Sequence, residues 1–279
     1  MRKLAAALLV AALVACSNPG YQVKGEEVVY RQRQSDGRII DLPLKVDVDS
    51  FEILDANYAR DKFSAFFGAD ALDGSQPATF VVLTFPYSKD ADNVYYKAER
   101  IGRDASHFQI LQDEFSKDSQ SVYFRSYPLQ ADPETFRVLR PGSGYASDDS
   151  SVYWARLKLD RSSPATFELL NRYYARDEQQ AWYRGKLLPD ADPASLVLVD
   201  EHYASDGKHV YYQDEPLPGA LAESFEPLAG GYFRDQATVY FDGQPIPGAD
   251  PSTFEVDSAR PHRARDKNRS YDKGKPSSS

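Results

Sequence analysis

Short apolar runs of three or four residues, separated by polar turns, recur along the chain from about residue 50 onward. An aspartate marks each recurrence: Asp61, Asp90, Asp118, Asp148, Asp177, Asp206, Asp235 and Asp266, spaced 28 to 31 residues apart. Three residues before the first seven stands an aromatic: Tyr58, Tyr87, Phe115, Tyr145, Tyr174, Tyr203 and Tyr232. Five and six residues after them comes a pair: Phe66-Phe67, Tyr95-Tyr96, Tyr123-Phe124, Tyr153-Trp154, Trp182-Tyr183, Tyr211-Tyr212 and Tyr240-Phe241. A further ring returns at Phe80, Phe108, Phe136, Phe167, Phe225 and Phe254, with Leu196 in the remaining place. A fixed period of this size is the signature of a repeat architecture.

Within one repeat, Tyr203-Ala204-Ser205 predicts a short strand and Asp206 to His209 a turn, the carboxylate accepting local backbone N–H bonds. Val210-Tyr211-Tyr212 returns as a strand, closing a hairpin, and Asp214-Glu215-Pro216 turns the chain again. The connectors Ala131-Asp132-Pro133 and Ala249-Asp250-Pro251 place Asp and Pro as in an N-cap and first helical position, predicting one helical turn. Residues such as Glu168-Leu169-Leu170 then form a third strand. The fold class is therefore all-β, an array of about eight short hairpin-based repeats forming a solenoid-like or curved stack. A closed propeller-like ring of small blades is the alternative, although a four-stranded blade ordinarily takes roughly 40 residues. The repeat domain is expected over residues 21–259. At its start, Val28-Val29-Tyr30 and Ser50 to Leu54 resemble a repeat with Gly25 in the aspartate's place. Residues 260–279 are expected to hold a truncated last repeat and a basic, partly disordered tail.

Asp266-Lys267-Asn268 with Tyr271, Lys89-Asp90 with Tyr95-Tyr96, and Asp206-Gly207-Lys208 with Tyr211-Tyr212 resemble the repeated Asp-Lys-Asn…Tyr-Tyr motif of the DKNYY family. The resemblance spans nearly the whole chain after its first segment and implies no catalytic residues. The Lys-Asn positions are mostly degenerate, as if they served only the turn.

Paired aromatics on a strand point to opposite faces of the sheet. The second members, Phe67, Tyr96, Phe124, Trp154, Tyr183, Tyr212 and Phe241, are a candidate surface row. Buried, they are core; open, they are a ladder suited to stacking on sugar rings.

The first sixteen residues bring a different signal. Met1-Arg2-Lys3 precedes an apolar run to Val14, too short for a permanent span of about 20 residues, and Leu13-Val14-Ala15-Cys16 resembles the lipobox of bacterial lipoproteins. Residues 1–15 are thus expected to be a lipoprotein signal peptide and 16–20 a tether, with Cys16, the sole cysteine, carrying the lipid. Ser17 favours the periplasmic face of the outer membrane over the inner membrane.

Composition narrows the chemistry. A net charge of −9 argues against nucleic-acid binding, while Arg260 to Lys275 is locally basic, as in a solvated tail or a contact with anionic lipid headgroups. The recurrent aspartates, read as turn caps, could also be a calcium ladder, but the chain offers only pairs such as Asp90 and Asp92. His107, His202, His209 and His262 lack metal-ligand spacing, and Pro141-Gly142-Ser143-Gly144 makes no nucleophile elbow. No metal and no cofactor is expected. The expected function is a non-enzymatic envelope lipoprotein, bound to the membrane through Cys16, that holds a protein partner on its repeat surface. The alternatives are a glycan or peptidoglycan binder using the aromatic row, and an envelope hydrolase on a propeller-like frame.

Overall fold

The computed structural model describes residues 19–277. Cys16 and the signal segment lie outside the described residues. Among those described there is no α-helix; nine small antiparallel sheets follow one another along the chain, one of three strands and eight of four. Every sheet is a meander in chain order, open at both edges. Two compact bodies result, one ending at Phe108 and one from Gln109 onward.

The Asp206 repeat shows the plan. Its strands are Val197–Leu198, Tyr203–Ser205, Val210–Tyr212 and Glu215–Pro216. The three-stranded repeat expected from sequence is corrected to four. Glu215–Pro216 is a strand, pairing with Tyr212 and Tyr211, and the turn before it is only Gln213-Asp214. A repeat of about 29 residues holds four strands because the strands are two to four residues long and the hairpin turn has two. The first residue of that turn is left-handed throughout: Lys97, Arg125, Ala155, Arg184, Gln213, Asp242 and Lys273 have φ between 46° and 57°. The expected helical turn is present as a single 3₁₀ turn at Val48–Ser50, Pro77–Thr79 and Ala222–Ser224, and as plain turns elsewhere.

Within each body, hydrophobic burial lies between successive sheets. One layer joins Tyr145, Val152 and Leu159 of one repeat to Ala175 and Trp182 of the next, with Phe167 of the connector against it. The next-but-one boundary repeats this with Tyr203, Val210, Leu217, Phe233, Tyr240 and Phe225. The first ring of each aromatic pair and the ring before the aspartate are almost fully buried. Each such side chain contributes about 2–3 kcal/mol of burial. A repeat cannot bury its own face, so stability is shared between neighbours.

Both ends differ from the expectation. Lys24 pairs with Glu27 where Asp61 pairs with Ser64, so Lys24, not Gly25, occupies the aspartate position of the first sheet. At the other end the last repeat is complete: Glu255–Val256, Arg263–Arg265, Ser270–Asp272 and Lys275–Ser277 form a full sheet. There the usual ring pair is replaced by Arg263 and Asp272, which sit opposite each other 3.5 Å apart.

Candidate functional site: the aspartate clamp and the two sheet edges

The aspartate is the most regular polar group in the molecule. Asp235 Oδ1 accepts the N–H groups of Ala237 and Thr238, both at 2.7 Å. Its Oδ2 accepts Leu221 N–H, from the connector before the sheet, at 2.9 Å and the Tyr240 hydroxyl at 3.0 Å. Asp266 repeats this with Asn268, Arg269, Asp250 and Tyr271 at 2.7 to 2.8 Å. A carboxylate has about four acceptor positions, and here all four are occupied. Asp61, Asp90, Asp118, Asp148, Asp177 and Asp206 are likewise buried, each with Oδ1 closing the same turn. Burial opposes ionisation of Asp206, yet the N–H groups of His209, Asp192 and Lys208 with the His209 ring outweigh it and hold its carboxyl at about 2. No group of three or more His, Cys, Asp or Glu capable of gripping a metal occurs among the described residues. The aspartates are clamps that fasten turn, connector and inner ring together.

A second polar device joins neighbouring repeats. Within a body, tyrosines before the aspartate donate the hydroxyl proton to a carbonyl of the next repeat: Tyr58 to Pro86 at 2.7 Å, Tyr174 to His202 at 2.7 Å, Tyr232 to His262 at 2.9 Å. The same oxygens accept turn N–H groups, as at Gly243 to Tyr203 (2.6 Å) and Gly274 to Tyr232 (3.0 Å). Phe115 has no hydroxyl, and there Asp113 takes the N–H groups of Gly142 and Gly144 at 2.7 and 2.8 Å. The segment Pro141 to Gly144 is thus a substitute clasp.

The candidate aromatic row is not an open ladder. Phe67, Tyr96, Phe124, Trp154, Tyr212 and Phe241 are half-buried, and Tyr183 is buried. Trp154, Tyr212 and Phe241 are each covered by the turn of the following repeat, at Gly185, Gly243 and Gly274. A Cβ on Gly243 would lie 2.1 Å from the Tyr212 ring, and one on Gly185 2.7 Å from Trp154 Cβ, so only glycine lets these turns close down. These three rings act as spacers between sheets. The histidines are scattered: His209 braces Asp206 at 3.1 Å, His107 pairs with Asp104, and His202 stacks on Tyr173 at 4.9 Å between centroids.

The family model for the DKNYY family matches residues 21–157 and 152–215. The chain belongs to the DKNYY family. No curated protein and no solved structure matches it. In DKNYY terms, the Asp is the clamp, the first Tyr position the inner ring and the second the spacer. The Lys is more than a turn residue where it is kept: Lys62 Nζ pairs with Asp47 at 2.6 Å and Lys267 Nζ with Asp250, each partner starting a connector. The same four-stranded order and aspartate clamp continue through the two sheets beyond residue 215.

What varies between repeats is the surface, and above all the two free edges of each sheet. The fourth strand carries Pro128, Pro216, Pro245 and Pro276, residues without an N–H, which blunt an edge against further pairing. The opposite edge is the first strand, where Ile110, Val197 and Leu198 stand exposed, Val197 at 59%. An open groove of about 510 Å³ runs between two such strands, lined by Ile110, Leu111, Phe136, Arg137 and Val138. The basic C-terminal stretch is largely neutralised in place, with Arg260, Arg263 and Arg265 paired to Asp257, Asp272 and Glu255.

Proposed function

We propose that the chain is a non-enzymatic envelope lipoprotein, anchored through Cys16, whose repeat surface holds a protein partner. The observation that carries this reading is the row of first-strand edges from Gln109 onward. Each is a free sheet edge; exposed apolar side chains stand on two of them, at Ile110 and at Val197 and Leu198, and a groove lies between the strands Gln109–Ile110 and Arg137–Val138. An extended segment adding to a free edge gains main-chain hydrogen bonds, and the flanking apolar side chains give it a register. The buried repeat aspartates already have their acceptor positions taken up by turn, connector and ring, so they are not offered to a partner. The anchor rests on the Leu13-Val14-Ala15-Cys16 motif and on Cys16 being the sole cysteine.

The test is the pair of substitutions Val197→Lys and Leu198→Lys, made together. Both side chains are exposed, so thermal unfolding should stay within about 0.5 kcal/mol of the parent, while the complex recovered by crosslinking in intact cells should disappear. A complex that survives both lysines places the partner elsewhere.

A further inference from the structure

Three successive hairpin turns on the fourth-strand side, in the body from Gln109 onward, depart from the rest of the repeats. At Tyr127, Leu157 and Leu187 they expose large apolar side chains, 50%, 47% and 51% accessible. Around them stand Arg125, Arg156, Lys158, Arg184 and Lys186, in a chain of net charge −9. Arg125 pairs with Glu114 and Lys186 with Asp214, both at 2.7 Å. Arg156, Lys158 and Arg184 have no acidic partner among the described residues; Arg156 lies over the Tyr127 ring and Arg184 over the Tyr173 ring. The turns are contiguous. A shallow groove of about 360 Å³ is lined by Phe124, Arg125, Tyr127, Trp154, Arg156 and Leu157, and Gly185 of the third turn packs on Trp154.

The fold does not require this composition. The next two repeats place Asp214-Glu215-Pro216 and Asp242, Gln244 and Pro245 at the same positions and build the same sheet. The basic and apolar character is therefore local and additional to the repeat. Its chemistry is that of a peripheral lipid contact, with unpaired cations at headgroup level beside aliphatic and Tyr side chains that enter the interfacial zone. The cations are spread across three turns instead of converging on one point. The groove is open and offers no enclosed set of directional partners, which suits a fluid anionic surface better than a defined acidic peptide.

We propose that this face rests on an anionic phospholipid surface, its phosphates held by Arg156, Lys158 and Arg184, with Tyr127, Leu157 and Leu187 entering the interface. This leaves the first-strand edges, on the opposite side of each sheet, free for a protein, and it does not depend on that partner being found.

The full chain, with Cys16→Ser and a single reporter cysteine at Leu157 or, as control, Gln244, is labelled with a polarity-sensitive dye and mixed with vesicles. On phosphatidylethanolamine vesicles containing phosphatidylglycerol, the dye at 157 should shift to the blue and become shielded from iodide, while the dye at 244 stays aqueous. Phosphatidylcholine vesicles should leave both unchanged. The triple variant R156E/K158E/R184E should lower the response at 157 at least about tenfold, with an unaltered circular dichroism spectrum and melting curve. The proposal is overturned if the dye at 157 stays aqueous on anionic vesicles. Equal responses at 157 and 244, or an unchanged response in the triple variant, also overturn it. So does a response to poly-glutamate but not to lipid, which would make the face a site for an acidic protein segment.

Discussion

The Tyr240 hydroxyl donates a hydrogen bond to Asp235 Oδ2, five residues earlier, at 3.0 Å, and both groups are buried. The same five-residue reach joins Tyr95 to Asp90, Tyr123 to Asp118 and Tyr271 to Asp266, at 2.8 to 3.1 Å. It ties the repeat's turn to its inner ring, so one phenol serves packing and clamp together.

Removing parts of this clamp should cost stability in a fixed order. Tyr240→Phe loses one hydrogen bond and keeps the ring, about 1 kcal/mol. Asp235→Asn sets an amide N–H₂ against two donors and should cost more. Asp235→Ala leaves three backbone N–H groups and a phenol without an acceptor, about 3 kcal/mol or more. Urea unfolding of the three variants checks the order, and equal losses would show that the aspartate is not a clamp.

Acid should unfold the protein through the same groups. Asp206 titrates at about 2 in the fold, against about 3.9 in an unfolded chain. A lowered folded value gives stability that is present above the unfolded value and lost as pH falls toward 2. Asp90, Asp148 and Asp266 are lowered in the same direction: burial opposes ionisation, but N–H groups of the turn and of the preceding connector outweigh it. Circular dichroism followed from pH 7 to 2 should show a cooperative loss below about pH 4, and Asp206→Asn should make that limb shallower.

Alkali acts on the tyrosines. Burial first, then the hydrogen bond to and charge of Asp235, push the Tyr240 hydroxyl up to about 12; burial first, then Asp266, does the same for Tyr271. A raised value stabilises the fold fully below the unfolded value near 10, and that contribution is lost as pH rises toward 12. Absorbance at the phenolate band should show a late class of tyrosines that becomes normal in urea.

Gly243→Ala tests the contact between repeats. The residue has φ +72° and its new methyl would strike the Tyr212 ring, while its N–H holds Tyr203. Left-handed strain alone costs about 1–2 kcal/mol. Hydrogen exchange should quicken first in the sheets containing Tyr212 and Phe241. Uniform quickening across all sheets would contradict an array held neighbour to neighbour.

Much of this was legible in the sequence because the period fixes which residues are equivalent. The aspartate turn, the inner ring and the all-β class follow from the spacing of Asp206, Tyr203 and Tyr211. The fourth strand did not, because two residues such as Lys186–Leu187 or Glu215–Pro216 carry no alternation to read. The sequence left the second ring open between core and surface for a different reason. Whether Trp154 is open depends on Gly185 of the following repeat, a contact between units that no local pattern reports. The C-terminal cations looked like a tail because Arg263 and Asp272 reveal their pairing only once they are aligned with Tyr232 and Phe241.

The most direct test of the protein-binding edge is photo-crosslinking in intact cells, with a reactive amino acid placed in turn at Val197, Leu198, Gln244 and Tyr211, followed by mass spectrometry. The account predicts one discrete protein adduct from Val197 and Leu198, none from Gln244 on the other edge, and none from Tyr211 in the core. An adduct of the same protein from Gln244 but not from the first strand, or glycan fragments alone at Val197, would contradict it.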